Sequence, residues 1–378
     1  MRSPSILTSL SAGPIRARRT TSTTVCQVTL ASVSDSLSVA EAASLLDGLR
    51  SGRDADELGA PVGRPVLVVD LDRAAPRADL RPPPGWPGVL IATSGSTSPP
   101  EPPGGPDVLI SAAADPPRPW VGAGELEGAT GSVEAAVRRN PQAATTLAQV
   151  LRVAAPLGPA AALVVESLAY STLQAGPEHR VWLEGQPARR PDERTDPAVQ
   201  VQREAGTLWI ILDRPERRNA YSARMRDDLV AALEVAAADP TISSVHLSGH
   251  GANFCSGGDL AEFGTRPDPA TAHGIRTLRS AGWWVSQLAS RVTVHLHGAC
   301  VGAGIELAAF AEAVKADGAT TVMLPEVSMG LIPGAGGTAS IAHRIGRERT
   351  AWLALTGLRL DATTALRWGL IDRISPSE

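Results

Sequence analysis

The 378-residue chain contains a single lysine, Lys315. The other basic side chains are arginine, so an anion bound here meets planar guanidinium groups suited to bidentate contacts. Aromatic residues are scarce, at 3%, and Ala, Gly and Val dominate instead. The net charge of −4 gives no reason to expect nucleic acid. Cys26, Cys255 and Cys300 show neither metal-ligand nor disulfide spacing, so a reducing cytoplasm is the expected compartment. No apolar run approaches the ~18 residues of a membrane span. What is present is 43% hydrophobic residues over a length with room for two domains.

Residues 1–35 are rich in Ser, Thr and Arg, with Arg16-Ala17-Arg18-Arg19 followed by Thr20, Thr21, Ser22 and Thr23. A transit peptide has that composition. A disordered tail or an over-long start fits it better. Residues 36–188 then read as a smaller α/β domain. A helix is expected from Leu37 to Arg50, and strands at 66–71, 89–93 and 108–111, split by Pro82-Pro83-Pro84 and the proline-rich stretch from Ser98 to Pro103. Helices are expected at about 130–154 and 157–174. Residues 189–199, polar with two prolines, read as a linker to residues 200–378.

The second half carries the chemistry. His297-Gly298-Ala299-Cys300-Val301-Gly302-Ala303-Gly304-Ile305-Glu306 sets a carboxylate beside small residues. Leu324-Pro325-Glu326-Val327-Ser328-Met329-Gly330-Leu331-Ile332-Pro333-Gly334-Ala335-Gly336-Gly337 does so again. Small residues let backbone amides approach a ligand. Two carboxylates with aimed amides suit acid/base chemistry next to a carbonyl. Each glutamate has a plainer reading: Glu306 as a charge complementing a helix dipole, Glu326 as a strand-end surface carboxylate.

Those motifs follow Asp213-Arg214-Pro215-Glu216-Arg217-Arg218-Asn219-Ala220 and Phe254-Cys255-Ser256-Gly257-Gly258-Asp259-Leu260, and precede Gly357 to Ala362 and Ala365 to Asp372. In this order they resemble the enoyl-CoA hydratase/isomerase (crotonase) superfamily from about Leu208 to Ile374. The resemblance implies an α/β crotonase-like spiral of ββα units of the ClpP/crotonase type. It implies Glu306 and Glu326 as catalytic carboxylates, with the N–H groups of Gly258 and Ala303 as an oxyanion hole. Arg217, Arg218, Asn219, Ala220, Ser256, Gly257, Gly302, Pro333 and Gly334 are the expected substrate-binding residues, the arginines meeting CoA phosphates. The implied reaction is hydration of a trans-2-enoyl-CoA to the 3-hydroxyacyl-CoA. Isomerisation or thioester hydrolysis on the same scaffold is the alternative enzyme, and a non-catalytic CoA-binding or scaffold subunit the alternative class.

The resemblance implies no metal and no cofactor beyond the coenzyme A of the substrate. It implies no nucleic-acid or membrane partner, and allows a homo-oligomer, trimer or hexamer. The second half ends without the helices that close a crotonase subunit, whereas Val164 to Ser171 and Gly176 to Glu184 resemble them. Residues 36–188 are therefore expected to be a degenerate crotonase-like unit, or else an unrelated cap domain. Asp259 is expected to cap a following helix, Cys255 and Cys300 to pack, His297 to be a satisfied core or turn histidine in preference to reaching the active site, and Trp283-Trp284 to line a helix interface or acyl tunnel.

Overall fold

The computed structural model describes residues 36–375 except 54, 61–62, 74–78, 191 and 266–267, and the tail expected at 1–35 lies outside the described residues. From Ser36 onward the chain forms one compact unit. Helix α1 (Val39–Arg50) opens with a capping box, in which the Ser38 side chain accepts from Glu41 N and the Glu41 carboxylate accepts from Ser38 N at 2.8 Å. A short α2 (Ala55–Leu58) follows. Strands β1 (Val66–Asp70), β2 (Val89–Ser94), β3 (Val108–Ser111) and β4 (Val121–Gly122) form a four-stranded parallel sheet in chain order. Every residue of β2 and β3 is buried, as their unbroken apolar runs require of strands covered on both faces.

Four helices come next: α3 (Leu126–Arg139), α4 (Pro141–Ala154), α5 (Pro159–Gln174) and α6 (Pro177–Glu184). The single helix expected over 130–154 is two, because Pro141 has no N–H to continue a helix and is well placed to start one. Glu178, in the first turn of α6, accepts from the Gln142 and Ala143 amides at 2.7 and 2.9 Å and so satisfies the start of α4.

The second half contributes β5 (Val199–Glu204), β6 (Thr207–Leu212), α7 (Ala223–Ala238), β7 (Ser244–Gly249), α8 (Pro269–Leu278), α9 (Ala281–Gln287), β8 (Val292–Leu296), β9 (Ala299–Val301), α10 (Ala303–Ala308), β10 (Ala313–Asp317) and β11 (Thr321–Met323). It continues through α11 (Gly337–Ile345), α12 (Arg347–Thr356), β12 (Leu360–Asp361), α13 (Ala362–Trp368) and β13 (Arg373–Ser375). The order β13-β10-β8-β7-β6-β5 makes a six-stranded sheet, parallel except for β5, and β12-β11-β9 makes a three-stranded sheet. On the less buried face of the larger sheet Trp209 stacks on His246 at 4.4 Å, His246 Nδ1 lies 2.8 Å from His295 Nε2, and Lys315 sits in register with His295.

One hydrophobic core runs through both halves, joining Val133, Val137, Leu147 and Leu151 of α3 and α4 to Ile341, Ile345 and Leu353 of α11 and α12 and to the strands beneath. Polar ties reinforce it. Asn140 Nδ2 donates to Val327 O at 2.8 Å. Buried Asp107 accepts from Leu90 N at 2.8 Å, pairs with Arg152, and meets Arg347 of α12 at 3.4 Å. The stretch 189–199 is docked rather than a free tether. Arg214, 2% exposed, bonds Asp192 Oδ2 and Pro197 O, each at 3.0 Å.

Candidate active site

β9 runs into Gly302, whose φ of +48° and ψ of −121° lie outside the comfortable range of residues with a Cβ. A Cβ there would also stand 2.4 Å from Glu326 Oε1 and 3.7 Å from Glu306 Oε1. The two carboxylate oxygens therefore lie no further apart than those spans laid end to end. Gly302 O accepts from Glu306 N at 2.9 Å, starting the turn that aims Glu306 inward. Glu306 is 2% exposed, and its Oε2 accepts from Ala335 N at 2.8 Å and Gly337 N at 2.9 Å. Glu326 opens a short 3-10 turn, Glu326–Met329, after β11. Its Oε2 is buried with no hydrogen-bond partner. A strand-end surface carboxylate would be solvated, so that plainer reading does not describe it.

Burial pushes the Glu306 carboxyl up to about 7, against the pull of its amide donors. Burial and the Glu306 charge hold Glu326 well above the usual carboxylate range. A third carboxyl joins them: Glu166 of α5 is pushed up to about 8 by burial and by Glu306. Two adjacent carboxyls of this kind titrate as a set, one retaining its proton while another ionises.

The small-residue loops stand around this pair. Gly257 has a φ of +91°, and its carbonyl accepts from Tyr221 N at 2.8 Å. The N–H groups of Gly258 and of Ala303, the first residue of α10, find no acceptor among the described residues. Gly258 lines a cleft of about 680 Å³ together with Ala220, Ser256, Arg217, Arg218, Arg189, Arg190 and Arg359. Arg189 and Arg190 come from the stretch expected to be a linker, and chain position gave no hint of them. A second cavity, about 410 Å³, is lined by Leu163, Val164, Trp283, Trp284, Leu307 and Gly334, and also by the charged Glu166, Arg226, Glu234, Arg276 and Arg279.

Several expected binding residues play other parts. The Asn219 side chain is fully engaged, accepting from Arg214 N at 2.7 Å and donating to His250 O and Asn253 O at 2.9 Å each. It is buried and braces the loops instead of facing a ligand. Arg217 faces the cleft but is tied to Asp259 at 3.1 Å, whereas Arg218 lines the same cleft with no ion pair among the described residues. Asp259 caps no helix, because residues 260–263 form turns, and its carboxylate serves Arg217 and the Ala261 amide. Pro333 and Gly334 lie at the Glu306 and Tyr170 side of the site, away from the arginine-lined cleft. His297 meets Gly251 O at 3.1 Å in an exposed turn. Burial pushes the Cys255 thiol up to about 12, so no thiolate stands ready there.

Comparison with known proteins fits this geometry. A family model described as enoyl-CoA hydratase/isomerase matches residues 202–378. The 2,3-dehydroadipyl-CoA hydratase of Escherichia coli K12 is 32% identical over 179 residues, covering 47% of this chain and 69% of its own. The chain belongs to the enoyl-CoA hydratase/isomerase family. The Enoyl-CoA isomerase/hydratase fer4 of Mycosarcoma maydis is 33% identical over 180 residues, 45% of this chain and 66% of its own. A solved enoyl-CoA hydratase from Thermoplasma volcanium GSS1 is 31% identical, covering 48% of this chain and 72% of that one, with a TM-score of 0.44. The chain thus spans about two thirds of the length of these family members. The matched residues 202–378 form the mixed α/β crotonase type of fold. Among the described residues no helix is long and apolar enough to cross a membrane.

Proposed function

We propose that the protein hydrates trans-2-enoyl-CoA thioesters to 3-hydroxyacyl-CoA, with Glu306 and Glu326 as the acid/base pair. The observation that carries this reading is the buried pair around Gly302, one member of which keeps an unpartnered oxygen. Leaving such an oxygen dry and unbonded costs on the order of 1–3 kcal/mol or more. A water held between the two carboxylates would satisfy it.

The water oxygen bonds to C3. The C2=C3 π electrons move onto the thioester oxygen, where the Gly258 and Ala303 N–H groups receive the charge. The enolate then collapses and C2 takes up a proton. One glutamate accepts the proton that water loses and the other supplies the proton at C2. Raised carboxyl pKa values suit both roles near neutral pH. Each oxyanion donor contributes roughly 100- to 1000-fold in rate. The arginine-lined cleft would take the CoA phosphates, and the cavity behind Trp283 and Trp284 the acyl chain. No cofactor beyond coenzyme A enters this scheme. We further propose that α3 to α6 do for this core what closing helices do in a one-domain subunit, which makes residues 36–188 part of the catalytic frame.

The purified protein should consume crotonyl-CoA or a longer enoyl-CoA, read as loss of conjugated-enoyl absorbance. Tight binding of these esters with no absorbance change at any chain length would replace this reading with a binding subunit.

A further inference from the structure

Glu166 is a buried carboxylate, 1% exposed, contributed by the first half of the chain. Both of its oxygens are engaged with the segment that carries Gly334 to Thr338. Oε1 accepts from Gly336 N at 2.7 Å, and Oε2 accepts from Thr338 N at 2.9 Å and from the Thr338 hydroxyl at 2.6 Å. The intervening amides, Ala335 and Gly337, donate to Glu306 Oε2. Four successive N–H groups therefore alternate between two carboxylates on opposite sides of the backbone. Fixing the even-numbered amides fixes the peptide planes, and with them the direction of the odd-numbered ones.

We propose that Glu166 is a positioning residue for the reaction: by gripping Gly336 and Thr338 it aims the Ala335 and Gly337 amides at Glu306 and so sets the orientation of that carboxylate. This rests on the reading of Glu306 as a reacting group. An apolar side chain would fill the same space without the cost of burying a carboxyl. Only a two-oxygen acceptor meets three donors here. The Thr338 hydroxyl can donate or accept, so the network survives protonation of Glu166. Glu306, Glu326, Tyr170 and Arg276 are the other ionisable groups around it. Arg276 is held away by Ser167 and Gln174 at 3.1 and 3.0 Å and is not its hydrogen-bond partner. A role as an outside cap for the start of α11 would explain the same bonds, but that role would affect stability alone.

Glu166→Gln and Thr338→Val in the full chain separate the two. Glu166→Gln keeps the size and loses acceptor capacity. Positioning predicts a kcat lower by about 10- to 100-fold, with KM within about threefold, because a small misplacement of a reacting group acts on the transition state. It also predicts faster amide hydrogen exchange at Ala335 and Gly337, which Glu166 does not itself bond, in protein that remains folded by circular dichroism. Thr338→Val should show a smaller loss of the same kind, and the double variant should be no worse than Glu166→Gln alone. A lower melting temperature with unchanged kcat, and faster exchange at Gly336 and Thr338 alone, would leave only the cap role and overturn the proposal. The exchange measurement needs no substrate. An inactive native protein would therefore sink the hydratase reading, while exchange at Ala335 and Gly337 still decides whether Glu166 orients the Glu306 carboxylate.

Discussion

The four-stranded sheet of the first half and the larger sheet of the second are both parallel at their centres, and helices cover each. They differ at the ends of the strands. In residues 36–188 the strand ends lead to Asp72, Ser94 and Ser111: Ser94 donates to Asp72, which also accepts from Gly95 N, and Ser111 donates to Ser96 O and accepts from Ala113 N. In the second half the loops turn at glycines such as Gly257, Gly298 and Gly302, all at positive φ, and beside Gly302 stand the Glu306 and Glu326 carboxylates. Similar sheets thus carry different consequences. Reactivity enters where a turn lets backbone and acid groups come close, and the sheet beneath only places that turn. The first half is not idle in this division, because its helices complete the core and its Glu166 reaches the site.

The sharpest way to break the comparison is to remove one acid group. Glu306→Gln and Glu326→Gln should each lower turnover by roughly two to four decades while CoA-ester affinity stays nearly constant. Steady-state kinetics with direct ester binding checks this, and near-normal turnover in both variants would end the two-carboxylate scheme. Separating the halves should be next in effect. A fragment of residues 196–378 would expose the apolar faces of α11 and α12 that α3 to α5 cover, and exposed patches of that kind associate. It should be insoluble or lack a cooperative melt, and co-expression of residues 36–195 should restore solubility. A cooperative melt with full activity in the fragment would make the first half an appendage.

A smaller effect is expected at the cleft. Arg218→Ala should weaken CoA-ester binding by about tenfold, as loss of a charge-assisted contact does, and should weaken a short pantetheine thioester far less. Equal losses for the two esters would place the phosphates elsewhere. The smallest effect concerns pH. Glu306 and Glu166 hold their protons in the folded state up to about 7 and about 8, well above the ordinary range near 4.3 for an unfolded glutamate. Between those limits the native state binds more protons than the unfolded one, so stability falls as pH rises. Thermal melts should therefore decline from about pH 5 to pH 8, and Glu166→Gln should flatten part of the slope. A melt that rises over that interval would contradict the burial of both carboxyls.

How much of this the sequence carries depends on whether a feature is local. The strands at 66–70, 89–94 and 292–296 and the small-residue turn before Glu306 are written in contiguous residues, and they stand where periodicity and glycine put them. The partners of Glu306 are not contiguous. Glu166 lies far away along the chain, and its one sequence signal is a lone acid group in the apolar run Leu163-Val164-Val165-Glu166. Arg189 and Arg190 read as linker because their prolines and charges look solvated. The grip of Arg217 on Arg190 O, and of Arg214 further along the stretch, brings them to the cleft. Asn219 fails in the opposite sense: its position beside the arginines suggests ligand contact, and the bonds that consume its amide appear only once the loops at 250 and 253 fold over it.

The single lysine has an outcome of its own. Lys315 lies on the less buried face of the large sheet, in register with His295 on one side and Arg373 on the other. Thioesters transfer acyl groups to free amines without any catalyst, and guanidinium groups resist that transfer. A chain that meets its anions with arginine therefore offers a reactive thioester just one side-chain amine. Any adduct it collected would fall at one mass-resolved position, on the second strand from one edge of the sheet.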